Sequence, residues 1–469
     1  MHQEKTLARL VEALGAELVC ARGGLAALRT TWTTVTTDSR AVRAGSVFVA
    51  LPGERFDGHD FAAAAAKAGA AALVVERPVE GAGDVPQLVA ASSRRAFGRI
   101  ARAWRLGFTV PVVAVGGSNG KTTVTQMTAA VLRARFGERH VHATAGNFNN
   151  DVGVPQTLLG LSAAHSAAVV EAGMNHPGEM GALADLIRPD LVILTNAQRE
   201  HQEHLASVEE TAWENGMLIA ALPEGGGAVI PADDPGTRVW RSIAAARGAR
   251  LLTWSMTKDV PADVVGELLP DGELLVRVCA EEHRTRLSIA GAHNARNALA
   301  VFTGALALGI DPDQALTALA GFRALAGRGE RTTVESARGT FTLVDDAYNC
   351  NPDSALASVR MLAAEPAPRI FIFGDMAELG GASERWHAEV GRAAAAAGVE
   401  RFWTTGAHAK HAAEAFEAAK SEGASGRWFA SRTELVAHLA ELPLAGAVVV
   451  VKASHSSGFA DVVKALKAL

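Results

Sequence analysis

Tyrosine occurs once in the 469 residues, cysteine three times, and aromatic residues make up only 5% of the chain. Cys20, Cys279 and Cys350 are too scattered for a disulfide framework or a CxxC metal site. Aliphatic packing, not covalent staples, must therefore hold the fold. No apolar run reaches bilayer-spanning length, and the opening MHQEKTLARLVEALGAELV lacks a basic segment followed by an apolar core. Neither a membrane span nor a secretion signal is expected, which makes the cytoplasm the expected compartment. Basic clusters are missing too, and the net charge is -5, so nucleic acid is excluded as a partner and any phosphate binding must be local. Solenoid-length repeats and low-complexity tracts are also absent.

Apolar content is plentiful, at 49%, in a chain longer than one core. Cores stop growing near about 250 to 300 residues, so three domains are expected, at 1–104, 105–327 and 328–469. The first combines a helical opening with TTDSR (36–40), the strand GSVFVAL (45–51), DGHDF (57–61) and an alanine-rich helix leading into AALVV (71–75). It reads as a small α/β domain. In the second, the buried runs AAVVE (167–171), LVILT (191–195) and GAVIP (227–231) alternate with helical spans, which predicts a largely parallel sheet. A glycine-rich connection at 320–330 precedes the third, where FTLV (341–344), RIFIF (369–373), RFWTT (401–405) and AVVVV (447–451) repeat that alternation as a doubly wound domain.

The most specific signal is VAVGGSNGKT, residues 113–122, an apolar run ending in a glycine turn, with TTVTQMTAAVL (122–132) continuing as a helix. Strand, GKT and helix in this order form a phosphate-binding loop. Gly117, Ser118, Asn119 and Gly120 wrap the phosphates, Lys121 supplies a point charge, and the hydroxyl of Thr122 can ligate Mg2+. Gly116 and Gly120 enclose only three residues instead of the usual four, which separates this loop from those of generic nucleotide hydrolases.

Further polar groups sit at strand ends, where open α/β sheets bind ligands. Glu171 is either a Mg2+ ligand or a capping acid before a glycine turn. His201 and His204 stand among acids after LVILT. Zinc would need a third ligand at suitable spacing, and a hard-cation ligand or a solvated turn are the other readings. Asn294 and Asn297 fall on one helical face, suited to a base edge or ribose, although Asn294 would also serve as a helix cap. Arg328 and the run VDDAYNCNPDS (344–354) offer a cation and acids on a second domain.

Together, SNGKTT, NFNNDVGVP, EAGMNHPGE, the AHNARNA segment, DDAYNCNPDS and GDMAELG resemble the Mur ligases of bacterial cell-wall synthesis, in this order and across essentially the whole chain. The resemblance implies a three-domain architecture, with a small N-terminal α/β domain for the UDP-sugar, a central P-loop ATPase domain and a Rossmann-like C-terminal domain for the incoming dipeptide. It implies an ATP-dependent ligase that joins D-alanyl-D-alanine to UDP-N-acetylmuramoyl-tripeptide through an acyl phosphate, with ATP and Mg2+ as cofactors and a monomeric state. Residue by residue, it puts Ser39, Arg40, Asn149, Asn150, Asn349 and Asn351 on substrate. It puts Gly117 to Thr123, Asn294, Asn297, Arg328 and one of Asp345 and Asp346 on ATP. Lys121, Glu171 and His201 take catalytic positions, and Thr122, Glu171 and His201 the magnesium positions. NFNND and DDAYNCNP argue against sibling ligases that add a single amino acid or glutamates. An inactive nucleotide-binding relative would not be expected to keep Lys121, Thr122, Glu171 and His201.

Three departures from the family pattern stand out. Asn215 falls where many relatives carry a carbamylated lysine bridging a second Mg2+, leaving Glu214 as the candidate replacement carboxylate. Gly116 replaces a threonine before GSNGKT. Ala453 and His455 replace a glycine and an arginine near the end.

Overall fold

The computed structural model describes residues 5–15, 18–201 and 203–469. Residues 1–4, 16–17 and 202 lie outside the described residues.

Three sheets follow one another along the chain. In the first, the strands Leu18–Arg22, Gln87–Ala90, Ala72–Val75, Ser46–Val49 and Thr34–Thr36 lie side by side, parallel except for Leu18–Arg22. The second has nine strands and is built outward from Val112–Gly116, flanked by Ala167–Glu171 and Leu191–Leu194. Val113 and Val115 point to the face covered by the helices Lys121–Phe136 and Ala292–Ala307. Val112 and Ala114 point to the opposite face, under Glu179–Ile187, Val208–Ala220 and Thr237–Arg247. A strand buried on both faces reads as an unbroken apolar run, as this one does.

The parallel sheet expected here carries an addition. Val264–Leu268, Glu273–Val278 and Glu281–Arg286 continue it as an antiparallel meander beyond Arg250–Ser255. Val264–Leu268 alternates buried and partly exposed residues and Glu281–Arg286 is mostly exposed, whereas Leu274, Leu275 and Val276 of the middle strand are buried in succession. The third sheet runs Glu330–Ser336, Gly339–Asp346, Val448–Lys452, Arg369–Gly374, Arg401–Thr405 and Ser425–Phe429. The hairpin at its start is antiparallel and the other pairings are parallel.

Strand order reverses at Val112–Gly116 in the second sheet. In the third, the last strand inserts between Gly339–Asp346 and Arg369–Gly374. Both switch points open crevices at the carboxyl ends of their strands, the places where such sheets take ligands. Among the described residues no helix is long and apolar enough to cross a membrane.

Candidate active site

The two crevices share one cleft of about 1790 Å3, which also reaches Glu54, Arg94, Arg95 and Arg99 of the first sheet's region. The glycine loop forms its floor. Gly117 adopts φ +119° and Gly120 φ +84°, both in the left-handed region. A Cβ on Gly117 would stand 2.2 Å from Thr195 Oγ1, and one on Gly120 2.5 Å from Asn297 Oδ1, so neither position has room for a side chain. The helix Lys121–Phe136 then starts without a side-chain cap, which leaves its N-terminus to an anion.

Loop shape is fixed by the next strand end. Ser118 N–H donates to Asn196 O (3.0 Å) and Asn119 N–H to Asn196 Oδ1 (2.9 Å), while Asn196 Nδ2 returns a bond to Asn119 O (3.0 Å). Lys121 Nζ folds back on Gly117 O (2.6 Å) and Ser118 O (3.0 Å) and faces Glu200 Oε2 at 3.3 Å.

Glu171 is 1% exposed. Its Oε1 accepts from Asn149 Nδ2 at 2.7 Å, whereas Oε2 is buried with no hydrogen-bond partner. A carboxyl oxygen shielded from solvent and without a protein donor suits a hard cation, and the buried Thr122 lines the same cleft. Glu171 and Thr122 therefore fit Mg2+, and no capping role is needed for Glu171. His201, with φ +48°, instead places Nδ1 2.5 Å from Glu378 Oε2. That contact holds the Glu378 carboxyl below its usual range. Among the described residues no group of three or more His, Cys, Asp or Glu is set to hold a metal ion. The His204 ring instead packs at a tilt against His176, with centroids 4.2 Å apart, which leaves the zinc reading without a ligand set among the described residues.

Asn294 and Asn297 line the cleft and are bonded to each other, Asn297 Nδ2 to Asn294 Oδ1 at 3.3 Å. The helix is capped by Gly291, not by Asn294, whose Nδ2 donates to Ala290 O.

Across the cleft, only one of the two aspartates faces inward. Asp346 lines it, accepting from Ser358 Oγ at 2.7 Å and pairing with Lys452 Nζ at 2.8 Å. Asp345 accepts from Gly327 N–H and Ala347 N–H behind the wall, where burial raises its pKa. Lys452 is 2% exposed and also donates to Asn349 O. Burial opposes its charge, but the facing Asp346 carboxylate prevails, so the ammonium stays above its ordinary range. Arg328 lies over the Tyr348 ring at 4.2 Å, and the His455 ring centroid is 5.1 Å from that of Tyr348.

Of the expected substrate residues, Asn149, Asn150, Asn349 and Asn351 line the cleft. Asn150 Oδ1 caps the turn at Val152 and Gly153. Asn351 caps the helix Pro352–Ala363 and exchanges two amide bonds with Asn119, tying the two sheets' regions together. Ser39 and Arg40 lie outside the cleft lining, and Arg40 is an exposed partner of Asp38. Glu214 does not replace the missing lysine, because its Oε2 accepts from Gly178 N–H and it does not line the cleft.

Arg199 escaped the sequence reading. Its guanidinium pairs with Asp353 (2.6 Å) and Glu389 (2.9 Å) and sits over Trp386 at 4.5 Å, a clasp between the second and third sheets' regions. The signal was present as a lone arginine between two acids and a glutamine, but its partners are more than 150 residues away.

Three family descriptions match: Mur ligase family, catalytic domain, over residues 31–105; Mur ligase middle domain over 115–305; and Mur ligase, glutamate ligase domain, over 327–455. The chain is 37% identical over 465 residues to UDP-N-acetylmuramoyl-tripeptide--D-alanyl-D-alanine ligase of Escherichia coli, covering 98% of each chain. A crystal structure of MurF from Acinetobacter baumannii superposes with a TM-score of 0.87 at 26% identity, covering 100% of this chain and 99% of that one. MurF ligase from Thermotoga maritima in complex with ADP gives 0.79 at 25% identity, covering 93% of this chain and 97% of that one. With a glycine loop, a buried Glu171 carboxyl and a facing Asp346–Lys452 wall in one cleft, and with this likeness along its whole length, the chain belongs to the Mur ligase family.

Proposed function

We infer that the protein joins D-alanyl-D-alanine to UDP-N-acetylmuramoyl-tripeptide at the expense of ATP, releasing ADP and phosphate. The observation that carries this reading is the full-length likeness to the Escherichia coli ligase, combined with a cleft on which all three sheets' regions converge at the phosphate loop. Residues 1–104 take the UDP-sugar, 105–327 take ATP, and 328–469 bring the dipeptide. The enzyme acts as a monomer in the cytoplasm.

A carboxylate is a poor acyl electrophile, so the terminal carboxylate oxygen of the tripeptide first attacks the γ-phosphorus of ATP. The bond to the β,γ-bridging oxygen breaks and ADP leaves. Lys121, turning from its loop carbonyls, places positive charge on the transferring group, and the N–H groups at the start of Lys121–Phe136 hold its oxygens. Thr122 and Glu171 would hold Mg2+, with His201 available once it parts from Glu378, and the bound ion would supply charge neutralisation for the phosphoryl transfer. The dipeptide amine then attacks the acyl carbon, the carbon–oxygen bond to phosphate breaks, and the amine loses a proton. Asn294 and Asn297, which line the cleft, would take the adenosine, and Arg328 and Asp346 would close from the opposite wall. Closure excludes water, which would otherwise hydrolyse the acyl phosphate.

The test is phosphate release measured against a panel of UDP-muramoyl peptides. Release should require tripeptide and D-alanyl-D-alanine together, and release indifferent to either substrate would contradict the reading.

A further inference from the structure

Asn215 lies outside the cleft, on the helix Val208–Ala220, and is fully buried. Each polar atom of its amide has a partner in one orientation only. Oδ1 accepts from Gly117 N–H at 2.9 Å, and Nδ2 donates to Thr211 O at 3.0 Å, one turn earlier in the same helix. A flipped amide would set its NH2 against the Gly117 N–H and its oxygen against a carbonyl. Gly117 is thereby held from two sides, by Asn215 on one and by Thr195 and Asn196 on the other. Its own carbonyl accepts from Lys121 Nζ, so the side chain of Asn215 is one residue removed from the loop's cation.

The neighbouring glycine makes this possible. A Cβ on Gly116 would fall 2.5 Å from Leu218 Cδ1 and 3.6 Å from Asn215 Oδ1. Two of the chain's departures from the family pattern, at 116 and 215, thus face each other across one contact. With no side chain at 116, the helix comes close enough for a short neutral side chain to reach the loop backbone.

We propose that Asn215 is a positioning residue for the phosphate loop, fixing the Gly117 peptide and through it the reach of Lys121, without touching nucleotide or metal. Both of its polar atoms are engaged, it carries no charge and it lies outside the cleft, so position 215 does not supply the bridging carboxylate that a second cation would need. The amide's hydrogen-bond partners, Gly117 N–H and Thr211 O, are not titratable, and the adjacent Glu214 carboxylate turns away to Gly178 N–H.

The proposal rests on the ATP site described above, and Mg·ADP binding to the full-length wild type, N215A and N215D separates the two. N215A leaves the Gly117 N–H without its acceptor, and Mg·ADP affinity should fall about tenfold, the loss expected for one such bond. In N215D the ionised carboxylate still accepts from Gly117 but faces the Thr211 carbonyl with an oxygen. Protonation restores a donor there. N215D should therefore bind Mg·ADP about tenfold more weakly than wild type near pH 8.5 and recover to about twofold near pH 6, because burial favours the neutral carboxyl. A merely structural residue would lower the melting temperature without this pH-dependent ratio. If wild type itself does not bind Mg·ADP, the ATP site is wrong. If wild type binds and N215A matches it, or folded N215D shows the same ratio at both pH values, the positioning role is overturned; where N215A does not fold, the N215D ratio decides.

Discussion

The glycine loop and the wall opposite it solve the same problem in different ways. Each places a lysine at the end of a parallel strand system beside one cleft. Lys121 is held mainly by two carbonyls of its own loop, which it can exchange for ligand oxygens. Lys452 is sealed beneath the surface by Asp346 and Asn349 O. A cation on backbone carbonyls is ready to move, whereas a buried ion pair is costly to disturb. One wall therefore adapts to ligand, and the other arrives rigid, presenting Asp346 with its charge already matched.

Removing each lysine should separate the two roles. Lys121→Ala should lower turnover by at least about 10^3-fold, as losing a preorganised charge at the transferring group would. It should keep most of the melting temperature, apart from the loss of the Glu200 contact, as steady-state kinetics beside calorimetry will register. Lys452→Ala should show the reverse emphasis, with stability falling by about 3 kcal/mol because Asp346 is left without its cation. Urea unfolding measures that loss, and adding Asp346→Asn should recover part of it.

The clasp between the two walls gives a smaller effect. Arg199→Ala removes two carboxylate contacts and the Trp386 stack, so kcat/KM should fall about tenfold while the melting temperature moves by no more than about 3 °C. Small-angle scattering should show a larger radius of gyration for the variant. An unchanged radius would place the closing force elsewhere.

The smallest expected effect is on pH dependence. Burial lifts Asp234 to about 6 from 3.8, while its Oδ1 holds Ala197 N–H of the loop that shapes the glycine turn. Between those values the folded carboxyl keeps a proton that the unfolded one has lost, so its contribution to stability falls as pH rises through the window and is constant above it. Asp234→Asn keeps the acceptor and removes the charge. Its melting temperature should match wild type near pH 4 and exceed it by roughly 2 °C near pH 7.

Local features were the readable ones. The strand, glycines and helix at 112–136 are adjacent in sequence, and their chemistry is written in residue type. What escaped reading depends on partners far along the chain. Asp345 and Asp346 lie on opposite faces of one strand, and only the packing of Pro352–Ala363 and Val448–Lys452 decides which face meets the cleft. Arg199 looks like one polar residue among several until Asp353 and Glu389 are brought to it. Asn215 was visible as a departure, but its partner Gly117 is 98 residues away. The meander at 264–286 extends a sheet whose parallel core set the expectation, and its mostly exposed last strand distinguishes it from that core.

The central claim is that ATP activates the tripeptide carboxylate. Tripeptide labelled with 18O in its terminal carboxylate, turned over with ATP and D-alanyl-D-alanine, should deliver one labelled oxygen into each phosphate released. Phosphate free of label, with the dipeptide still joined, would contradict an acyl-phosphate route.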